Sequence, residues 1–425
     1  MNVRIEKSRL QGEVTAPPSK SVAHRLLLAA ALAKDKSTID NVALSADILA
    51  TVSCIQSLGA KIVFDANKKT PQRVEVYGTG GDLSVNGEFY CNESGSTLRF
   101  LLPLALCALS SRDEISGRNT AAEHAVFCGA PRLIQRGVGI YEEIFSNANF
   151  TKEITDCGAK ITVSGEIRPG KYAVRGNISS QFITGLFYAL PLLNGNSEVE
   201  ILPPFESASY ISLTLSVLKQ FGINIEKTAE NVYFIRGNQR FKNGDFSVEG
   251  DWSNAAFLYA LNALGGNVKI LGTNDESVQG DKVCLRLLNG LSQGRLQADL
   301  SDCPDLAPVL FAVAAAKHGA YFTGTRRLKI KESDRAECMK QELEKFGARV
   351  IVNENSAEIL PAAPLVPPAV PLSSHGDHRI AMALSLLCLI TGGEIAGAEA
   401  VNKSYPNFYD DLRTSGANVS FTETT

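Results

Sequence analysis

The chain has 425 residues, 44% hydrophobic and 20% charged, a globular composition long enough for two or three domains of ~100–200 residues. Lys and Arg number 42 against 45 Asp and Glu, a net charge of −3, which argues against a nucleic-acid partner because such binders carry a strongly basic balance or block. Leu306 to Ala316, ended by Lys317, is the longest clean apolar run; a membrane span needs ~18 or more apolar residues, so this run reads as a buried helix and no membrane partner is expected.

The first segment, Met1-Asn2-Val3-Arg4-Ile5-Glu6-Lys7, has no apolar core and does not read as a signal peptide. The nine cysteines form no Cys-x-x-Cys pair and sit mostly in apolar company, as at Cys54, Cys107, Cys284 and Cys388. Reduced core thiols in a cytoplasmic protein are therefore expected. The five histidines include no His-Glu-x-x-His, and only His375 and His378 lie close together. No structural metal is expected.

Pro17-Pro18-Ser19-Lys20-Ser21-Val22-Ala23-His24-Arg25 precedes an apolar helix over Leu26–Ala33. Arg25 follows Ser21 by four positions, so both can face one ligand. The segment reads as an anion cradle, or else as a serine-capped helix with solvated cations. Asn92-Glu93-Ser94-Gly95-Ser96-Thr97-Leu98-Arg99 precedes the apolar run Phe100–Ala108. Small residues around Gly95 let backbone N–H groups approach a ligand; no Gly-Lys-Ser/Thr follows, so it is not a Walker motif. Asn177-Ile178-Ser179-Ser180-Gln181 stands before the apolar helix Phe182–Leu193, and Ser207-Ala208-Ser209-Tyr210 is similar. Hydroxyls at such starts bind phosphate or simply cap the helix.

Ser301-Asp302-Cys303-Pro304-Asp305 places Asp305 at the mouth of the most apolar helix, as a desolvated general base or as a cap. Lys329-Ile330-Lys331-Glu332-Ser333-Asp334-Arg335 packs five charges around one serine, with Ser333 the expected cap of a following helix. Gly376-Asp377-His378-Arg379 repeats the layout before a small-residue apolar helix. Such runs are usually solvated faces, but charges beside Ala-rich buried helices favour a functional role.

A unit recurs along the chain: helix, Gly-Ala stop, β-like run. Its copies are Leu58-Gly59-Ala60, Cys157-Gly158-Ala159, Phe346-Gly347-Ala348 and Ser415-Gly416-Ala417, with Phe221-Gly222 looser and Leu288-Asn289-Gly290 weaker still. Glycine supplies the left-handed residue that ends a helix, and β-branched residues begin the strand. Ser45-Ala46-Asp47, Ser333-Asp334 and Ser404-Tyr405-Pro406 offer helix starts. Several helix N-termini aimed at one place would make an anion site.

Taken in order, Pro18-Ser19-Lys20-Ser21 with Arg25, Gly95 with Arg99, Pro131-Arg132 with Arg136, Ser179-Ser180-Gln181-Phe182, Ser207 with Tyr210, Pro304-Asp305, Lys331 to Arg335, Asp377-His378-Arg379, and Lys403 run through essentially the whole chain. This set closely resembles the 5-enolpyruvylshikimate-3-phosphate synthase family, the enolpyruvyl transferases of the shikimate pathway. The resemblance implies an α/β (α+β) fold of two domains built from repeated βαβαββ units, an inside-out α/β barrel, with the active site in an interdomain cleft that closes on substrate. Residues 1–17 plus 251–425 would form domain I and residues 18–250 domain II.

The implied reaction moves the enolpyruvyl group of phosphoenolpyruvate to the 5-hydroxyl of shikimate 3-phosphate through a tetrahedral intermediate and releases phosphate. By the same resemblance Lys20, Ser21, Arg25, Ser179, Ser180, Gln181, Ser207, Tyr210, Asp305 and Lys331 hold shikimate 3-phosphate. Lys20, Gly95, Arg136, Gln181, Arg335, Arg379 and Lys403 hold phosphoenolpyruvate. Asp305 is the base and Glu332 the acid, with Lys20 assisting. The expected partners are these two small molecules. No metal or organic cofactor is implied, and a monomer is expected.

The chain departs from the family pattern in three places. Glu93-Ser94-Gly95-Ser96 replaces the usual Asn-x-Gly-Thr, Arg136-Gly137 replaces Arg-Pro, and the stretch to about Lys152 is less family-like than its surroundings. The related UDP-N-acetylglucosamine enolpyruvyl transferases typically have Lys-Asn where this chain has Lys20-Ser21, and use a loop cysteine as acid. Cys128 lies near that loop, but Arg136 fits the shikimate pattern better. A catalytically silent anion-binding relative is the other alternative, against which Lys20, Asp305 and Glu332 stand together.

Overall fold

The computed structural model describes residues 1–68, 70–110, 122–155, 158–362 and 364–422. Contacts divide the chain into two compact units, Met1–Pro17 with Glu249–Thr425, and Pro18–Val248. Each has its own buried apolar core.

Among the described residues, five four-stranded sheets share one wiring. In each the first two strands pair in parallel and the remaining pairs are antiparallel. The clearest repeat runs strand Leu296–Asp299, helix Ala307–Ala316, strand Ala320–Thr323, helix Arg335–Glu344, strand Arg349–Val352, strand Ser356–Leu360. The helix after the first strand supplies the crossover that a parallel pair requires. The unit that starts at Leu372–Ser373 ends at Val419–Thr422 and takes its fourth strand, Asn2–Ile5, from the start of the chain. Where the chain passes from one unit to the other, Gln11–Thr15 pairs with Asn267–Leu271, and Asp245–Ser247 pairs with Lys34–Val42.

Helices, not sheets, fill the two cores. Trp252–Ala263, Ala307–Ala316 and His378–Thr391 are buried over most of their length in the first unit, as are Lys20–Leu32, Gly95–Ser110 and Ser180–Ala189 in the second. A helix apolar all round is stable only when surrounded. That explains Ala- and Leu-rich runs such as Leu26-Leu27-Leu28-Ala29-Ala30-Ala31. Lys20, Gly95, Ser180, Asp305 and Arg379 stand at or just before the N-termini of five of these helices, where unpaired N–H groups gather.

Several sequence expectations need correction. The first apolar helix, expected over Leu26–Ala33 with Lys20, Ser21 and Arg25 at its start, runs over Lys20–Leu32 and is capped by Ser19, whose hydroxyl accepts from Val22 N. The helix expected over Phe100–Ala108 begins at Gly95, so the small-residue segment is its first turn. The helix expected over Phe182–Leu193 is Ser180–Ala189 followed by a 3-10 turn. Asp334, not Ser333, caps Arg335–Glu344 by accepting from Glu337 N, and Ser333 instead donates to Asp377. Ser404 does not cap the last helix, which begins at Phe408 after Asn407.

The Gly-Ala stops at Gly59, Gly222, Gly347 and Gly416 follow helices and have positive φ. The copy at Gly158 differs: strand Ala148–Thr155 precedes it and pairs antiparallel with Gly158–Gly165. Cys157 of that copy lies outside the described residues. Gly290 is interior to helix Cys284–Gln293, which ends at Gly294.

Candidate active site

In the first unit one guanidinium organises the charged run. Arg335 is 1% exposed and is the first residue of its helix. Its Nε donates to Asp377 Oδ2 at 2.8 Å, Nη1 to Asp305 Oδ1 at 2.8 Å and Nη2 to Glu332 Oε2 at 2.8 Å. Burying a charge this deeply is costly unless its hydrogen bonds are met, and here three carboxylates from three segments meet them. Asp377 is itself buried; it caps helix His378–Thr391 through Arg379 N and accepts from Ser333 Oγ at 3.1 Å.

Two further cations reach Asp305. Lys331 Nζ is 3.2 Å from Oδ1, and Arg379 Nη2 is 3.2 Å from Oδ2. Arg379 also donates to Ser253 Oγ at 2.8 Å, which fixes its plane against helix Trp252–Ala263. Lys403 Nζ lies 3.8 Å from Glu332 Oε1. Burial alone raises the Asp305 carboxyl; Arg379, Lys331 and Arg335 outweigh it and hold the group well below the usual carboxylate range. Burial pulls the Lys331 ammonium down to about 8, opposed by Asp305 and reinforced by Arg327 and Arg335. Asp305, Lys331, Glu332, Arg335, Arg379 and Lys403 are thus one cluster: two carboxylates able to exchange protons, surrounded by four cations.

In the second unit Lys20 Nζ pairs with Asp47 Oδ2 at 2.9 Å. Arg25 is buried, and its partners are neutral. It donates to Thr214 Oγ1 at 2.9 Å, Ser21 O at 2.8 Å and Tyr210 O at 3.3 Å, and its guanidinium lies 5.2 Å from the Phe100 ring centre. Burial lowers it to about 10. It remains charged at neutral pH, held by dipoles and π-faces that leave an anion welcome. Ser207 heads helix Ala208–Gln220 in a left-handed conformation, φ 59°, one turn before Tyr210 and two before Thr214.

Gly95, Arg99, Arg136 and Gln181 also meet. Arg99 Nη1 donates to Gln181 Oε1 at 2.6 Å, and Gln181 Nε2 donates to Ser96 Oγ at 3.0 Å. A Cβ on Gly95 would stand 3.0 Å from Arg99 Nη1, 3.1 Å from Gln181 Oε1 and 3.7 Å from Arg136 Nη2. Arg136 Nε is buried without a hydrogen-bond partner among the described residues. Ser179 caps Ser180–Ala189 by accepting from Gln181 N at 3.3 Å, so its hydroxyl has a structural task beside any binding one. Glu93 is exposed.

Pro103 shows how the fold holds Arg99. Proline lacks the N–H that would bond the carbonyl four residues back, which is that of Arg99. Tyr141 Oη lies 2.6 Å from Arg99 O and 3.0 Å from Phe182 O, and supplies the missing donor.

The clusters cut across the two ligand sets that the resemblance implied, since Asp305 and Lys331 stand with Arg335 and Arg379, and the anchors of the clusters carry no sequence signal. Asp47 reads as an ordinary first-turn residue of helix Ala46–Ser57; only the structure pairs it with Lys20. Ser253, Tyr141 and Thr214 carry no local signal, because their partners are 126, 42 and 189 positions away.

The sequence model described as EPSP synthase (3-phosphoshikimate 1-carboxyvinyltransferase) matches residues 5–412. The 3-phosphoshikimate 1-carboxyvinyltransferases of Clostridium kluyveri and Clostridium novyi are each 37% identical to this chain; the alignments cover 98% of this chain and 98% and 97% of those proteins. Among solved structures, an EPSP synthase from Acinetobacter baumannii superposes with a TM-score of 0.76 at 21% identity, over 99% of this chain and 100% of that one. The enolpyruvyl transferase NikO from Streptomyces tendae gives 0.71 at 15%, over 100% and 99%. These structural likenesses establish the α/β fold of repeated units, and the sequence matches establish the family. The chain belongs to the EPSP synthase (3-phosphoshikimate 1-carboxyvinyltransferase) family.

Proposed function

We propose that this enzyme transfers the enolpyruvyl group of phosphoenolpyruvate to the 5-hydroxyl of shikimate 3-phosphate. The observation that carries the reading is Arg335 holding Asp305 and Glu332 on two arms of one buried guanidinium. Both substrates carry a phosphate and a carboxylate, and the two units present cations at helix N-termini that suit them. Lys20, Ser21, Arg25, Ser179, Ser180, Gln181, Ser207, Tyr210, Asp305 and Lys331 hold shikimate 3-phosphate. Gly95, Arg136, Arg335, Arg379 and Lys403, with Lys20 and Gln181, hold phosphoenolpyruvate.

Addition needs a proton removed from the attacking hydroxyl and a proton delivered to the methylene carbon. Asp305 takes the first. Its low basicity comes from the three cations around it; once substrate anions share those cations, the carboxylate becomes the stronger base that the step requires. Glu332 delivers the second, and Lys20 assists. Phosphate then leaves the tetrahedral adduct as the Glu332 carboxylate, left by the first step, takes a proton back from the methyl group and restores the double bond. The buried cations stabilise charge on the departing phosphate.

The test compares the wild-type chain with Asp305→Asn and Glu332→Gln. The wild type forms the enol ether and phosphate from the two substrates. Each variant loses ~10²–10⁴ in turnover, the contribution of a general acid or base, while calorimetry still detects shikimate 3-phosphate binding. Near-normal turnover in either variant removes that residue from its role.

A further inference from the structure

Four buried polar side chains of the second unit are joined end to end, behind the groups that face substrate. His24 Nδ1 lies 2.7 Å from Thr51 Oγ1, Thr51 Oγ1 lies 2.7 Å from Thr97 Oγ1, and Thr97 Oγ1 donates to Ser94 Oγ at 2.6 Å. None of the four is more than 3% exposed. They link helix Lys20–Leu32, helix Ala46–Ser57 and the start of helix Gly95–Ser110.

Proton counting fixes the direction of the chain. Thr97 has one hydroxyl hydrogen and gives it to Ser94. Thr51 must therefore donate to Thr97, which leaves it only a lone pair for His24. The imidazole is protonated on Nδ1, and its Nε2 is a bare acceptor. That atom is buried without a hydrogen-bond partner among the described residues. Burial lowers His24 to about 3, with Asp47 opposing and Lys20 and Arg25 assisting, so the ring stays neutral and the direction persists at neutral pH.

Both ends of the chain touch the anion-binding elements. Ser94 precedes Gly95, and its Oγ also accepts from Thr97 N at 3.2 Å as the helix cap. His24 lies beside Arg25. Thr51 is one helical turn beyond Asp47, the partner of Lys20. Arg25 has independent supports in Thr214, the Tyr210 carbonyl and the Tyr188 hydroxyl, which donates to its carbonyl. The Gly95 segment follows two exposed residues, Asn92 and Glu93, and Ser94 joins the cap of its helix to the hydroxyl chain.

We propose that Thr51 is a positioning residue: through His24 and Thr97 it sets where Gly95 and the first turn of its helix stand relative to Lys20, and so the affinity for phosphoenolpyruvate. The proposal rests on the function given above. Thr51→Val keeps shape and β-branching but removes both hydrogen bonds, whereas Thr51→Ser keeps the hydroxyl. In Thr51→Val the KM for phosphoenolpyruvate rises about tenfold, equivalent to ~1.4 kcal/mol, while the KM for shikimate 3-phosphate changes less than about twofold. Thr51→Ser restores the wild-type value. Equal rises in both KM values, or none, overturn the proposal.

A second measurement is independent of the variant's folding. In ¹⁵N NMR of the wild-type chain, His24 shows the Nδ1-protonated tautomer at neutral pH; an Nε2-protonated ring overturns the chain and the proposal with it. A wild-type chain that turns over no phosphoenolpyruvate defeats the functional reading instead, and the tautomer still decides the hydrogen-bond chain.

Discussion

Lys331 stands where burial and Asp305 pull in opposite directions, and burial wins, leaving its ammonium at about 8 rather than near the ordinary lysine value. The charge is present below that pH and lost above it. As a ligand for an anion, Lys331 therefore imposes an alkaline limb: kcat/KM for shikimate 3-phosphate falls as pH rises through about 8, because this ratio reports groups of the free enzyme. Lys331→Arg moves the limb upward, since guanidinium stays protonated to far higher pH. An unchanged limb in that variant assigns the titration elsewhere. The charged run from Lys331 to Arg335 was readable as more than a solvated turn because it opens onto buried helices. Its internal division of labour was not. Ser333 looked like the cap, yet Asp334 takes that place and Ser333 turns to Asp377, 44 positions away. A cap is a local preference, whereas the pull of a distant buried carboxylate leaves no local mark.

Several candidate site residues stand at helix starts, and Gly95 shows why the residue type matters. The small-residue segment was legible as a place of close approach; that it forms the first turn of a helix was not, because Asn92-Glu93-Ser94 resembles any loop. A Cβ at Gly95 would crowd Arg99 Nη1 and Gln181 Oε1 at 3.0 and 3.1 Å. In Gly95→Ala these side chains must shift, and a displacement of that kind weakens phosphoenolpyruvate binding more than folding. The expected result is a KM for phosphoenolpyruvate raised about tenfold or more, equivalent to ~1.4 kcal/mol, with the thermal midpoint nearly unchanged. Steady-state kinetics beside a melting curve checks it; an unaltered KM shows that the two side chains yield freely. The Gly-Ala stops were legible for a related reason. Gly59, Gly222, Gly347 and Gly416 lie in the left-handed region after helices, where a side chain is strained. Gly158 follows the same sequence pattern but comes after a strand, since a glycine signals backbone freedom and not which element came before it.

Across the whole molecule, the repeat was visible as a rhythm and the topology was not. The parallel pair of Leu296–Asp299 with Ala320–Thr323 reaches across an intervening helix, and the completion of the last sheet by Asn2–Ile5 depends on partners at Gly393–Ala396, at the other end of the chain. The two cores place apolar helices inside and sheets around them, so that charged residues at the helix starts gather while the shafts stay dry. That arrangement explains how Asp305, the neighbour of the most apolar helix, can be ringed by Arg335, Arg379 and Lys331. It also explains why the same two units could in principle serve another enolpyruvyl acceptor, since cations at helix starts recognise anions rather than a particular ring. The acceptor therefore defines the activity. Phosphate release from phosphoenolpyruvate, measured in parallel with shikimate 3-phosphate and with UDP-N-acetylglucosamine, tests it most directly. Release with shikimate 3-phosphate alone is the predicted result; release only with the sugar nucleotide, or with neither, contradicts it.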